Sequence, residues 1–159
     1  MTEPKVSISS SVVTENRHGP GPSGNGCTAG QKPGILVVDD EQCLRDMLKI
    51  AFGQRGFSAW LAADGWEALE LYEHHRAAID MVLMDVRMPG LDGLLTLGEL
   101  RQLDPDVRCC FMSGDLGGYT ERRLRESGAA AVFHKPFNLD EVFLALSKLY
   151  VPGPESAAC

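Results

Sequence analysis

The sequence predicts an α/β fold, a doubly wound parallel sheet made of five β-α units, and two patterns predict it. Five short apolar runs, Ile35–Val38, Phe57–Leu61, Met81–Met84, Val107–Met112 and Ala131–His134, alternate with longer stretches of helical periodicity. Four of the runs end in side chains suited to chemistry: Asp39-Asp40-Glu41, Asp85, Ser113, and Lys135-Pro136-Phe137. In an open parallel sheet, ligands gather at the carboxyl ends of the strands.

Ile35–Val38 is the first strand. After it, Leu44, Met47, Leu48 and Ala51 recur at i, i+3, i+4 and i+7 and mark the buried face of a first helix, which Gly53 and Gly56 end. Phe57–Leu61 is a second strand. Asp64-Gly65 opens a helix whose apolar face includes Ala68, Leu71 and Tyr72, with Trp60 and Trp66 as packing or surface cover nearby. His74 and His75 close that helix, where a cation suits the dipole, so no ligand role is needed.

Met81–Met84 has no alternation and is too short for a helix, so it reads as a central strand covered on both faces. Asp85 closes it. Met88-Pro89-Gly90 and Asp92-Gly93 then force a loop. Leu94, Leu97 and Leu100 mark a third helix that stops near Asp104-Pro105. Val107–Met112 is the fourth strand, and Gly114, Gly117 and Gly118 lead into a short polar helix, roughly Tyr119–Ser127. After the fifth strand, Asn138 is an N-cap with Glu141 as its box partner, and Leu139, Val142, Phe143, Leu146 and Leu149 line the last helix.

Composition bounds the function. The chain has 159 residues, a net charge of −7 and a hydrophobic fraction of 44%, enough for one core. Residues 1–33 carry a charge of +1, which leaves −8 on the remainder and argues against direct binding of nucleic acid. No run of 18 apolar residues and no secretory signal is evident, so no membrane insertion and a cytoplasmic address are expected. Cys27, Cys43, Cys109, Cys110 and Cys159 form no C-x-x-C pair, which argues against a disulfide framework and a zinc site. Neither His18 nor His134 has a metal-spaced partner.

Residues 1–33 read as a disordered leader, 34–151 as the folded domain and 152–159 as a flexible tail. A modest β-favouring patch at 6–13 does not change that reading. Gly19–Gly24 matches G-x-G-x-x-G formally, but no strand precedes it and no helix follows.

Val38-Asp39-Asp40, Asp85 with Met88-Pro89-Gly90 and Asp92-Gly93, Ser113-Gly114 and Lys135-Pro136-Phe137, in this order, resemble the receiver domain of bacterial two-component response regulators. The resemblance implies a flavodoxin-like (βα)5 sheet of strand order 2-1-3-4-5. It implies a regulator phosphorylated on Asp85 by a sensor histidine kinase or a histidine phosphotransfer protein, which signals to a downstream protein through a conformational switch; many family members carry an output domain, and with only a tail after Val151 a stand-alone type is expected. Asp39, Asp40, Asp85 and the backbone carbonyl of Arg87 would hold Mg2+. Lys135, aimed by a cis Pro136, would meet a phosphoryl oxygen, and Ser113 would move toward it.

The protein would not be an enzyme in the ordinary sense, although it would catalyse its own phosphotransfer and autodephosphorylation. Phosphorylation-linked homodimerisation is compatible with the family pattern. Arg87 and Asp115 are a candidate ion pair near the site. The family's usual aromatic three residues before the lysine is Val132 here, and Phe133 next to it points to the other face of its strand. The alternatives are a phosphate-independent interaction module of the same fold and a phosphate sink in a phosphorelay. An aspartate-nucleophile phosphatase is disfavoured, because Arg87 stands where its general acid would be.

Overall fold

A computed structural model describes residues 32–152. The expected leader and tail, the patch at 6–13, His18 and the glycine motif at 19–24 lie outside the described residues, apart from Lys32, Pro33 and Pro152. The elements are β1 (Gly34–Val38), α1 (Gln42–Gln54), β2 (Ser58–Ala62), α2 (Gly65–His75), a short 3-10 turn (Arg76–Ala78), β3 (Met81–Asp85), α3 (Gly93–Leu103), β4 (Cys109–Ser113), α4 (Glu121–Glu126), β5 (Ala131–His134) and α5 (Leu139–Leu149). All strands pair in parallel, in the order β2-β1-β3-β4-β5. This is the predicted doubly wound sheet.

Side chains alternate along each strand and divide the core in two. Leu36, Val38, Val82, Met84, Cys109 and Phe111 pack with Ala68, Tyr72, Leu97, Leu100 and Leu124, from α2, α3 and α4. Ile35, Val37, Met81, Leu83, Cys110 and Met112 pack with Leu48, Phe52, Val142, Phe143 and Leu146, from α1 and α5. Cys109 and Cys110 therefore face opposite ways, both fully buried. Burial pushes the Cys110 thiol up to about 11 and that of Cys109 well above its usual range, so both stay protonated and inert. Cys43, Cys109 and Cys110 are free.

Several boundaries differ from the expected ones. Met47 is 44% exposed; α1 instead buries Leu48 and Phe52, because Phe52 docks edge-on against Phe57 and Phe143, with ring centroids 5.5 and 5.0 Å away. Gly53 lies inside α1, and β2 starts at Ser58 because Phe57 is still in the turn, its amide donating to the Phe52 carbonyl. The fourth strand starts at Cys109, since the Val107 amide is held by the Asp104 carbonyl in the turn after α3. Helix α4 is shorter than predicted: Tyr119 bonds back to Leu116, and Thr120 is the cap, accepting from the Arg123 amide. Asn138 caps α5 by accepting from Asp140, but Glu141 gives no return bond to Asn138 among the described residues. No helix of the described residues is long and apolar enough to cross a membrane.

Two polar ties join the helices on the α2–α3–α4 side. Tyr72 of α2 donates to the carboxylate of Asp104, the residue that ends α3, over 2.8 Å. Arg101 of α3 donates to the carbonyls of Ser127 and Gly128, just after α4.

Candidate functional site

Strand register places the site. Val38 pairs with Met84, Asp85 with Met112 and Ser113 with His134, so Asp39, Asp85, Ser113 and Lys135 come to one end of the sheet within about two residues of each other in height. Alternation then sorts them. Asp39, Asp85 and Lys135 continue the rows of Val37, Leu83 and Phe133, which face α1 and α5; Ser113 continues the row of Phe111, which faces α3 and α4. Three charged groups thus meet on one side, and the hydroxyl stands on the side of the loop that leads to α4.

The charged groups are in contact. Carboxylate oxygens of Asp39, Asp40 and Asp85 all lie within 4.8 Å of one another. Lys135 Nζ is 2.7 Å from Asp39 Oδ2, 3.4 Å from Asp85 Oδ2 and 3.7 Å from Glu41 Oε1. Asp39 is fully buried and Asp85 nearly so, whereas Asp40 is exposed. The second Asp39 oxygen accepts from the Glu41 amide, and its backbone carbonyl accepts from Arg45 Nη1. Every oxygen of Asp39 is therefore fixed.

Burial raises the carboxyl pKa of Asp85 above its ordinary value; the Asp39 charge adds to this, while Lys135 and the Arg87 amide pull against it. Burial also works against the Lys135 charge, but Asp39 and Asp85 outweigh it and leave its pKa raised. One ammonium faces three carboxylates, so negative charge is in excess. Clustered, partly hydrated carboxylate oxygens are the donor set that suits a small hard cation such as Mg2+.

The remaining predicted residues occupy defined places. Ser113 is buried, and its hydroxyl donates to the Asp115 carbonyl. Arg87 lies two residues past β3; its amide faces the Asp85 carboxylate and its guanidinium is 3.7 Å from Asp115, giving the candidate ion pair. The Lys135–Pro136 bond is cis. Val132 packs toward α3 and α4 and Phe133 toward α1 and α5, on opposite faces as expected.

Sequence reasoning passed over three participants. Glu41 belongs to the acidic run, but nothing in the sequence announces its contact with Lys135. Arg45 carries no local signal, since its bond to the Asp39 carbonyl depends on where α1 sits. Tyr119 donates to Asp92 Oδ2 over 2.9 Å, a tie between two loops that spacing along the chain does not announce.

Comparison with known proteins agrees with this geometry. The family profile described as the response regulator receiver domain matches residues 35–147. Sporulation initiation phosphotransferase F of Bacillus subtilis (strain 168) is 36% identical over 120 residues, covering 74% of this chain and 93% of that protein. The sensor kinase CckA of Brucella abortus (strain 2308) is 34% identical over 115 residues, 72% of this chain but only 12% of its own length. Among solved structures, the CheX-CheY-BeF3-Mg+2 complex from Borrelia burgdorferi superposes with a TM-score of 0.69 at 28% identity, covering 75% of this chain and 90% of that one. The order of the five strands, the meeting of Asp39, Asp40, Asp85 and Lys135 at their carboxyl ends, and these matches agree: the chain belongs to the receiver domains of two-component response regulators.

Proposed function

We propose that this chain is a phosphoacceptor that takes a phosphoryl group onto Asp85 with the help of Mg2+ and passes the change to a protein partner. The observation that supports this best is the convergence of three carboxylates and one lysine, from β1, β3 and β5, at one end of the sheet. In the transfer, an Asp85 oxygen attacks phosphorus while the bond from phosphorus to the donor's imidazole nitrogen breaks, and the electron pair stays on that nitrogen.

Lys135 Nζ, 3.4 Å from the attacking group, offers its charge to a phosphoryl oxygen. Asp39, held by Lys135 and the Glu41 amide, together with Asp40, Asp85 and the Arg87 carbonyl, would hold Mg2+. When bound, the ion supplies positive charge against the repulsion between a carboxylate and a phosphoryl group. Ser113 turns from the Asp115 carbonyl toward the new phosphoryl oxygen and carries the loop behind it.

The donor is a phosphohistidine on a sensor kinase or a phosphotransfer protein, and the setting is the cytoplasm. The chain promotes its own phosphorylation and its own dephosphorylation, in which water takes the phosphoryl group from Asp85 as inorganic phosphate, and turns over no separate substrate. The likeness to a protein named a phosphotransferase, over 93% of that protein's length, favours a second reading as a relay or phosphate sink.

Incubating the 159-residue chain with acetyl phosphate and Mg2+ is expected to add one hydroxylamine-sensitive phosphoryl group, seen by intact mass. It disappears with chelator and in Asp85→Ala. No incorporation, or incorporation that persists in Asp85→Ala, overturns the proposal.

A further inference from the structure

The loops that follow β3 (residues 86–92) and β4 (residues 114–120) are laced together by three contacts. Arg87 pairs with Asp115 at 3.7 Å, but the two side chains are 60% and 77% exposed, so salt and water weaken that pair. The Arg87 stem lies against Gly117, where a Cβ would come within 2.4 Å of Arg87 Cδ and where φ is +58°. The third contact is better sheltered. Tyr119 packs its ring on the core under α3 and α4 and donates its hydroxyl to Asp92 Oδ2 over 2.9 Å.

Asp92 uses its other oxygen to cap α3 through the Leu95 amide, so one side chain joins the start of α3 to the approach to α4. At the near end of the same loop, Ser113 is bonded to the Asp115 carbonyl. A hydroxyl that turns toward Asp85 gives up Asp115 and with it the first anchor of the loop.

We propose that the Tyr119–Asp92 bond is a strap that holds the β4–α4 loop in its unphosphorylated arrangement and is released when Asp85 is modified. This rests on the phosphoacceptor reading above. A contact made in one state only shifts the equilibrium toward that state, so removing it raises the affinity of any ligand that prefers the other. Tyr119 is a positioning residue: it touches neither Asp85 nor Lys135 among its described contacts and acts through the loop.

The test titrates the full chain with beryllium fluoride, a phosphoryl mimic, at fixed Mg2+. Tyr119→Phe keeps the ring and removes the strap, and is expected to tighten beryllofluoride binding by about three- to tenfold, the net range of one ordinary hydrogen bond, since water reaches this part-buried pair. Mg2+ affinity measured without fluoride stays the same. Asp92→Ser, which keeps one capping oxygen and has no second group to reach Tyr119, tightens binding in the same direction, and the double variant gains nothing over Asp92→Ser alone. In the wild type, the 13C-labelled ring signal of Tyr119 shifts when beryllofluoride is added.

A Tyr119→Phe affinity within twofold of wild type, a weaker one, additive single effects, or a ring signal that does not move overturns the strap alone. A wild-type chain that does not bind beryllofluoride with Mg2+ overturns both the strap and the phosphoacceptor reading.

Discussion

The strands that carry the carboxylates and the flank that carries α4 are built differently. β1, β3 and β4 are buried at every residue, and a full core lies on both of their faces. On the flank, no residue of β5 is fully buried, α4 is six residues long, and Leu124 is its one buried side chain. Its ion pairs, Arg122–Glu126 and Arg125–Glu121, are exposed. The carboxylates of Asp39 and Asp85 stand on the close-packed centre, while Lys135, which reaches them from the end of β5, and α4 belong to a flank tied down by little apolar area. Unequal packing gives one small fold a rigid centre beside a flank that costs less to rearrange.

The largest expected effects come from emptying each region. Phe111→Ala, in the buried centre, should cost about 3–5 kcal/mol in urea unfolding and lower stability throughout the domain. Leu124→Ala should cost less overall, about 2–3 kcal/mol, and act locally. Amides 114–128 would then exchange fast while those of β1 and β3 stay protected, as hydrogen exchange reads directly. Uniform loss of protection in Leu124→Ala would break the contrast between the two regions.

A smaller effect sharpens the comparison from the packed side. Burial works to raise the Asp104 carboxyl, but the Tyr72 hydroxyl, the Asp106 amide and Arg76 outweigh it and hold its pKa below the ordinary value; Tyr72 itself is pushed up, first by burial and then by Asp104. A carboxyl lowered in the folded state adds stability that is fully present above its unfolded pKa, about 3.9, and is lost as pH falls through the folded value. Tyr72→Phe should therefore cost about 1 kcal/mol at neutral pH, allowing for partial exposure of Asp104, and progressively less in acid. A cost that does not change with pH would show that the ring, not this bond, matters.

The smallest effect concerns the site. Because the Asp85 pKa is raised, mainly by burial, its charged form opposes folding; that cost is fully present above the folded pKa and vanishes below the unfolded one. Asp85→Asn in chelator should raise stability by roughly 0.5–1 kcal/mol at neutral pH, with the gain shrinking as pH falls. A lower melting temperature at neutral pH would mean that the contact between Asp85 and Lys135 stabilises more than the buried charge costs.

Much of this arrangement was legible in the sequence. Runs of four to six apolar residues ending in Asp39, Asp85, Ser113 and Lys135 specify both the strands and the end of the sheet where those residues gather, because a strand places its last side chain predictably. Strand order was not readable from pattern; it came from the likeness to a family. Spacing puts Met47 on the buried face of α1 and the structure does not, since apolar periodicity cannot tell which of two overlapping stripes meets the Phe57 and Phe143 rings. Contacts between loops, such as Tyr119 with Asp92 and Arg45 with the Asp39 carbonyl, depend on how loops cross in space and leave no periodic trace.

The grip of Arg101 on the turn after α4 gives that helix a fulcrum. Its guanidinium fills the space beside Gly128, where φ is +88° and a Cβ would overlap Arg101 Nη2, so the pivot is keyed to a residue without a side chain. Under the proposed phosphoryl transfer, a shift of the loop before Thr120 would turn the helix about that held end rather than carry it sideways. A displacement near Ser113 would then reach the surface as a rotation of the exposed face that carries Arg122 and Arg125.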